Sequence, residues 1–237
     1  MHRKVIKITI ILMAFLSGCN NGDIVERELQ PGKRLSTSYY DYNIDNANYR
    51  IMILAGVHGN ERSGVYYLNN LIEEKKFSNR KGIGFLIIPI ANSEAYKENM
   101  RYPYYLNDLN RNFPGKSKGT ETQELAYEIM EIIRDNEIDL VIDLHEWNLK
   151  DKDINLNGVI INKFLENREF IRKITGLENI VVEEQAIEGS LIYSIADELN
   201  IDGFILEANQ AIDREARIKF YDDVIKLIIE EKLNGNY

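Results

Sequence analysis

What most constrains this chain is a series of short apolar runs separated by longer segments of helical spacing. The stretches "YRIMIL" at 49–54 and "DLVIDL" at 139–144 read as buried strands, and each is followed within a few residues by a histidine. Alternation of this kind is the pattern of a sheet covered by helices. Strands are predicted near 38–43, 49–55, 84–90, 139–144, 157–162, 179–183 and 203–207, and helices over 62–76, 121–136, 163–174, 189–199 and 212–232. The polar turn "NIDNAN" joins the first two strands, and in the last helix Ile218, Val224, Ile225 and Ile228 read as core. The expected fold class is α/β, a single domain with a mixed, mostly parallel sheet flanked by helices, for which 237 residues at 44% apolar content suffice. The long irregular section 91–119 stands out, because loops of that length in compact domains are usually functional or disordered.

The first stretch, "MHRKVIKITIILMAFLSGC", has a basic start, an apolar middle and small residues before a cysteine, which is the make-up of a targeting segment. Its end, "LSGC", resembles the lipobox of bacterial lipoproteins. That resemblance implies a signal peptide over 1–18, lipidation of Cys19 and anchoring at the bacterial cell surface. An uncleaved anchor helix, for which the run is short, and an ordinary signal peptide are the alternatives. Residues 19–35 then read as the lipidated cysteine and a tether, and 36–237 as the folded domain. Cys19 is the only cysteine, so no internal disulfide can form. Removing 1–18 takes away Arg3, Lys4 and Lys7 and no acid, moving the formal charge from −9 to −12. So acidic a surface argues against nucleic acid and against anionic lipid as partners of the folded part, leaving the lipid as the only membrane attachment.

His58 and His145 are the two histidines outside the signal segment, and both close predicted strands. Ligands in open α/β sheets bind outside the carboxyl ends of strands, so the two can meet. A lone histidine there is more often paired structurally with a carboxylate than a ligand. Glu61, three residues after His58, points the same way across a turn, and with His145 makes a set of two nitrogens and one oxygen. Such a set with an open fourth position is a catalytic zinc pattern, although other folds hold iron this way. Asp143, on the strand face of His145, is placed either to orient a ligating imidazole or as an ordinary strand-end acid. The loop "MRYPYYLNDLNRNFPG" carries Arg101, Asn110 and Arg111, and an arginine fork binds carboxylates bidentately.

"GVHGNE", "DLNRNFPG" and "IDLH", in that order, resemble the zinc carboxypeptidase superfamily, which includes succinylglutamate desuccinylases and aspartoacylases. The resemblance covers roughly 50–210 and implies a zinc-carboxypeptidase-like fold holding one zinc ion on His58, Glu61 and His145. It further implies that Asn110 and Arg111 bind the substrate's carboxylate, that Arg101 stabilises the oxyanion, and that Glu207, ending "GFILE", is the general base. Glu146 is a weaker candidate for the base, and Tyr193 is a candidate for a substrate-capping tyrosine. Two positions depart from the family's habit: Ile205 stands where a threonine is frequent, and Glu146 where a small residue is usual.

Amide hydrolysis beside a free carboxylate follows, on a peptide or a small carboxylate-bearing amide. The desuccinylases and aspartoacylases carry a small β-rich region after the catalytic glutamate, whereas the residues after Glu207 here read mostly as one helix. With the export signal, this favours a surface metallocarboxypeptidase acting on extracellular or cell-wall peptides. The alternative is an N-acyl amino acid deacylase, to which the "ANSEAY" to "DLNRNFPG" loop is more similar. A non-catalytic binding lipoprotein is the third expectation.

Overall fold

The computed structural model describes residues 24–76, 82–148, 156–161, 173, 176–177, 179–183 and 186–233. The signal segment 1–18 and Cys19 lie outside these residues, as does the helix expected over 163–174 apart from residue 173. One mixed sheet is built from β1 (Ile24–Leu29), β2 (Thr37–Tyr42), β3 (Tyr49–Ala55), β4 (Ile83–Ile88), β5 (Leu140–Trp147), β6 (Gly158–Ile161), β7 (Ile180–Glu183) and β8 (Asp202–Asn209). Their order is β1-β2-β4-β3-β5-β8-β6-β7. The middle strands β4, β3, β5 and β8 run parallel, as do β6 and β7, while β1, β2 and the β6–β8 pair are antiparallel. Among the described residues the helices of more than one turn are α1 (Ser63–Glu73), α2 (Ser93–Glu98), α3 (Glu121–Asp135), α4 (Leu191–Leu199) and α5 (Arg214–Leu233).

Helices cover both faces, which is why the central strands are apolar without alternation. On one side Ile51, Ile53, Leu140, Ile142, Phe204 and Leu206 pack with Val65 and Leu68 of α1 and Tyr221, Val224 and Ile228 of α5. On the other, Met52, Leu54, Val141 and Ile205 pack with Leu125 and Ile129 of α3 and Ile192 and Ile195 of α4. Of the four core residues expected on the last helix, Val224, Ile225 and Ile228 are buried and Ile218 packs partly buried against the same cluster. Period-two alternation then puts Asp143, His145 and Glu207 on the α3–α4 side.

Three expectations change. Residues 24–29, assigned to a tether, form an edge strand that pairs with Thr37–Tyr42 over its whole length. Its charged residues Glu26, Arg27 and Glu28 are exposed, as suits an edge. The section 91–119 is also less irregular than expected, because α2 starts within it, with Asn92 capping the amide of Ala95. Both β5 and β8 run past the predicted ends, so His145 lies within its strand rather than after it and Glu207 within its strand rather than at its end. Among the described residues no helix is long and apolar enough to cross a membrane.

Candidate active site

The turn after β3 brings the first two donors together. Gly56 adopts φ +66°, a left-handed conformation that glycine reaches without a Cβ clash. At Gly59 the constraint is space: a Cβ there would lie 1.9 Å from the carbonyl of Ala95, so α2 packs directly on the backbone beside His58. The amide of Glu61 donates to the carbonyl of His58 at 3.2 Å, closing the turn. Glu61 Oε1 then lies 2.7 Å from His58 Nδ1, and Glu61 Oε2 lies 2.8 Å from Nδ1 of His145 on β5. All three side chains are buried, and their ligand atoms lie within 4.8 Å of one another.

The far nitrogens of the rings are occupied. His145 Nε2 is 3.0 Å from Asp143 Oδ2, and His58 Nε2 is 3.1 Å from Asp108 Oδ1. Each imidazole is thus turned by a carboxylate so that Nδ1 faces the centre, the arrangement by which metal-binding histidines are oriented. Burial works against charge on Glu61, but the imidazoles of His145 and His58 outweigh it and hold its carboxyl well below the usual range. Burial likewise opposes charge on His145, yet Asp143 and Glu61 outweigh it and lift the imidazole well above its ordinary value. This centre therefore favours a positive charge between buried carboxylates. Two imidazole nitrogens and a carboxylate suit a zinc-class ion, whose binding displaces such protons.

A cleft of about 890 Å³ opens onto these donors, and Glu207, Arg101, Asn110, Arg111, Glu146 and Trp147 help line it. Glu207 is paired in register with His145 on the adjacent strand. Its side chain keeps some exposure to the cleft, while burial of the carboxyl group pushes its pKa up to about 7 against the opposing pull of His145. Arg111 Nη1 donates to the carbonyl of Asn110 at 2.6 Å, and Asn110 Oδ1 is buried without a partner among the described residues. Arg101 is 45% exposed and pairs through Nη2 with Asp108 at 3.0 Å, with Nη1 3.7 Å from Glu61 Oε1.

Glu146 serves the scaffold. Its Oε1 accepts from the amide of Ser63 at 2.5 Å, at the start of α1 where Arg62 provides no side-chain cap, and its Oε2 pairs with Arg217 at 2.8 Å. Those bonds occupy both carboxylate oxygens, so the weaker base candidate is spoken for. Tyr193, the capping candidate, sits half-buried on α4 and is not among the cleft-lining residues. Its amide donates to Ser190 Oγ at the helix N-terminus, which fixes it as part of that first turn.

Asp108, Arg217 and Tyr221 escaped the sequence reading. Asp108 carries the visible signal, since an aspartate two residues before Asn110 takes that residue's amide at 3.0 Å in an Asx turn. Tyr221, on α5, donates from its hydroxyl to the carbonyl of His145 at 2.6 Å.

The succinylglutamate desuccinylase/aspartoacylase catalytic domain model matches residues 47–222, a span that holds the whole donor set and Glu207. The chain belongs to this family. It is a hydrolase family within the zinc-carboxypeptidase-like superfamily. Solved structures share the fold at low identity. An aspartoacylase family protein from Mesorhizobium loti is 19% identical with a TM-score of 0.66, over 87% of this chain and 66% of that one. The product-bound ectoine utilization protein of Ruegeria pomeroyi is 16% identical, TM-score 0.63, over 89% of this chain and 68% of that one. A tripeptide-bound cell shape determinant from Helicobacter pylori is 18% identical, TM-score 0.66, over 88% of this chain and 55% of that one. The chain thus spans just under two thirds of the Mesorhizobium protein and little more than half of the Helicobacter one. No curated protein sequence matches it.

Proposed function

We propose that this chain is a zinc-dependent hydrolase that cleaves an amide bond beside a free carboxylate, with His58, Glu61 and His145 holding the ion. The observation that carries this reading is Glu207, a carboxylate with a raised pKa, set in register with His145 at the cleft that opens onto the donor set. When bound, the ion supplies Lewis acidity toward the scissile carbonyl and acidifies a water. Glu207 takes the proton of the attacking water and delivers it to the leaving nitrogen, and a pKa near 7 suits both transfers. The Arg111 guanidinium and the unpaired Oδ1 of Asn110 offer a carboxylate and its neighbouring N–H a cation and an acceptor, which fixes register. Arg101, held by Asp108 at the cleft wall, meets charge that develops on the carbonyl oxygen.

Peptide cleavage is the first reading. A cleft of about 890 Å³ is at the roomy end for a small-molecule pocket, and the Helicobacter relative carries a tripeptide. Deacylation of N-acyl amino acids is the second, favoured by the family whose model matches. The "LSGC" segment supports placing the enzyme at the cell surface through lipid on Cys19, and Cys19→Ala then releases it from the membrane fraction.

Mass spectrometry of products from the zinc-loaded protein, given peptides, muropeptides and N-acyl amino acids with Glu207→Gln as control, tests the assignment. Loss of C-terminal residues only in the wild type supports the peptidase, and acyl release supports the deacylase. No turnover of any substrate, or equal turnover by Glu207→Gln, rejects the hydrolase reading.

A further inference from the structure

One row of side chains crosses the sheet beneath the cleft, and beyond Asp143 it is not used by the chemistry above. Asp143 on β5 pairs in register with Ile205 on β8, Ile205 with Ile161 on β6, and Ile161 with Glu183 on β7. Residues directly opposite one another share a sheet face. The intervening Phe204, Leu206, Ile160 and Val182 pack into the core on the α1–α5 side, so this row faces the other way, as His145 and Glu207 do. Ile205, Ile161 and Glu183 all line the cleft. From β8 the row covers two strand spacings, about 10 Å, before it reaches the Glu183 carboxylate.

The floor of the cleft is therefore apolar next to Glu207 and acidic at its far edge, and the exposed Ile187 continues the apolar wall at the rim. Among the described residues the arginines that line the cleft, Arg101 and Arg111, both belong to the loop before α3. We propose that Glu183 makes the cleft selective for a substrate whose carboxylate-bearing residue has an unbranched aliphatic side chain ending in a cationic nitrogen, lysine being the simplest. This rests on the hydrolase reading above. With the carboxylate on Arg111, the methylene stem lies along Ile205 and Ile161 and leaves the floor where Glu183 stands. A four-carbon stem with an ammonium head has the shape for that path. A half-buried carboxylate attracts the head more strongly than an exposed one does.

Trp147 is the only tryptophan and lines the cleft, so its fluorescence reports occupancy without turnover. The test uses the zinc-loaded full chain carrying Glu207→Gln, titrated with N-acetylalanyl-lysine, N-acetylalanyl-norleucine and N-acetylalanyl-glutamate. Lysine should bind on the order of tenfold more tightly than norleucine, the loss expected for one charge-assisted hydrogen bond, with glutamate weakest. Adding Glu183→Gln should abolish the advantage of lysine over norleucine, and Glu183→Lys should reverse the order of lysine and glutamate. Norleucine or glutamate bound as well as lysine by the Glu183 form overturns the proposal, as does a lysine preference that survives Glu183→Gln. Wild-type turnover of the same peptides separates the two readings. Lysine-selective binding with no hydrolysis of these peptides or of N-acetyl-lysine leaves Glu183 assigned and rejects the hydrolase. Hydrolysis without lysine preference does the converse.

Discussion

The backbone amide of Glu146 donates to Glu61 Oε2 at 3.1 Å, while the Glu146 side chain caps the helix that begins two residues after Glu61. One residue therefore fixes the bridging carboxylate from both ends. Arg217, on α5, holds the Glu146 side chain in place with only 19% and 4% of the two side chains exposed. Glu146→Ala leaves that guanidinium unpaired and the amide of Ser63 uncapped. The expected cost is about 3 kcal/mol, as for one partner removed from a buried pair. Urea unfolding of the metal-free protein measures it, and a loss below about 1 kcal/mol would show that the contacts do not hold the turn.

Glu207 contributes a pH dependence of its own. Its pKa of about 7 lies above the ordinary glutamate value of 4.5, so the folded chain binds more protons than the unfolded chain between those limits. This group's contribution to stability therefore falls as pH rises from about 4.5 to about 7 and is level above that range. In the metal-free protein a carboxyl resonance titrating near 7 should vanish in Glu207→Gln. A cation at the neighbouring donors favours the charged form, so loading the site should move that titration to lower pH. A resonance that titrates near 4.5 in both states would remove Glu207 from the role of base.

The sequence announces buried elements more clearly than edges. β3 and β4 are covered on both faces, and their continuous apolar runs match the predicted strands to within about two residues. β1, written "IVEREL", lies at the edge with charged residues in solvent, so its composition resembles a tether. α2 is only six residues long, too short for a helical period to show. The donor set was legible because metal chemistry restricts residue type and spacing, whereas Asp108 and Arg217 act through other side chains. Nothing in the spacing of "AIDREARIKF" ties Arg217 to a carboxylate 71 residues earlier. Tyr193 was one of 14 tyrosines, and only the packing of α4 shows where it sits.

Asp108 separates orientation from ligation. It touches His58 Nε2 at 3.1 Å and Arg101 at 3.0 Å, but Nδ1 of His58 is the atom turned to Glu61. The imidazole and the guanidinium outweigh burial and keep the Asp108 carboxyl well below the usual range. Asp108→Asn should therefore weaken metal binding by 10- to 100-fold with the fold intact, the usual cost of losing a carboxylate behind a ligating imidazole. Competition with a chromophoric chelator gives the affinity, and circular dichroism checks the fold. His58→Ala removes a donor and should lose more than Asp108→Asn. Equal losses would mean that Asp108 itself ligates.

Gly59 tests whether the turn is built for close approach or only for flexibility. Its φ is not in the left-handed region, so alanine is not excluded by backbone conformation. The obstacle is the Ala95 carbonyl, which would lie 1.9 Å from an added Cβ and is part of the α2 backbone, so no side-chain rotation can relieve the clash. Gly59→Ala must push α2 away from the turn that carries His58 and Glu61. The expected loss is several kcal/mol, in the range of severe overpacking, together with weakened metal binding. Gly32 is the matched control: its φ is +75° but no atom lies within 4 Å of an added Cβ, so Gly32→Ala should cost about 1 kcal/mol of backbone strain and leave metal affinity unchanged. If the two alanine variants unfold at the same urea concentration and bind metal alike, the contact between Gly59 and α2 does not shape the site.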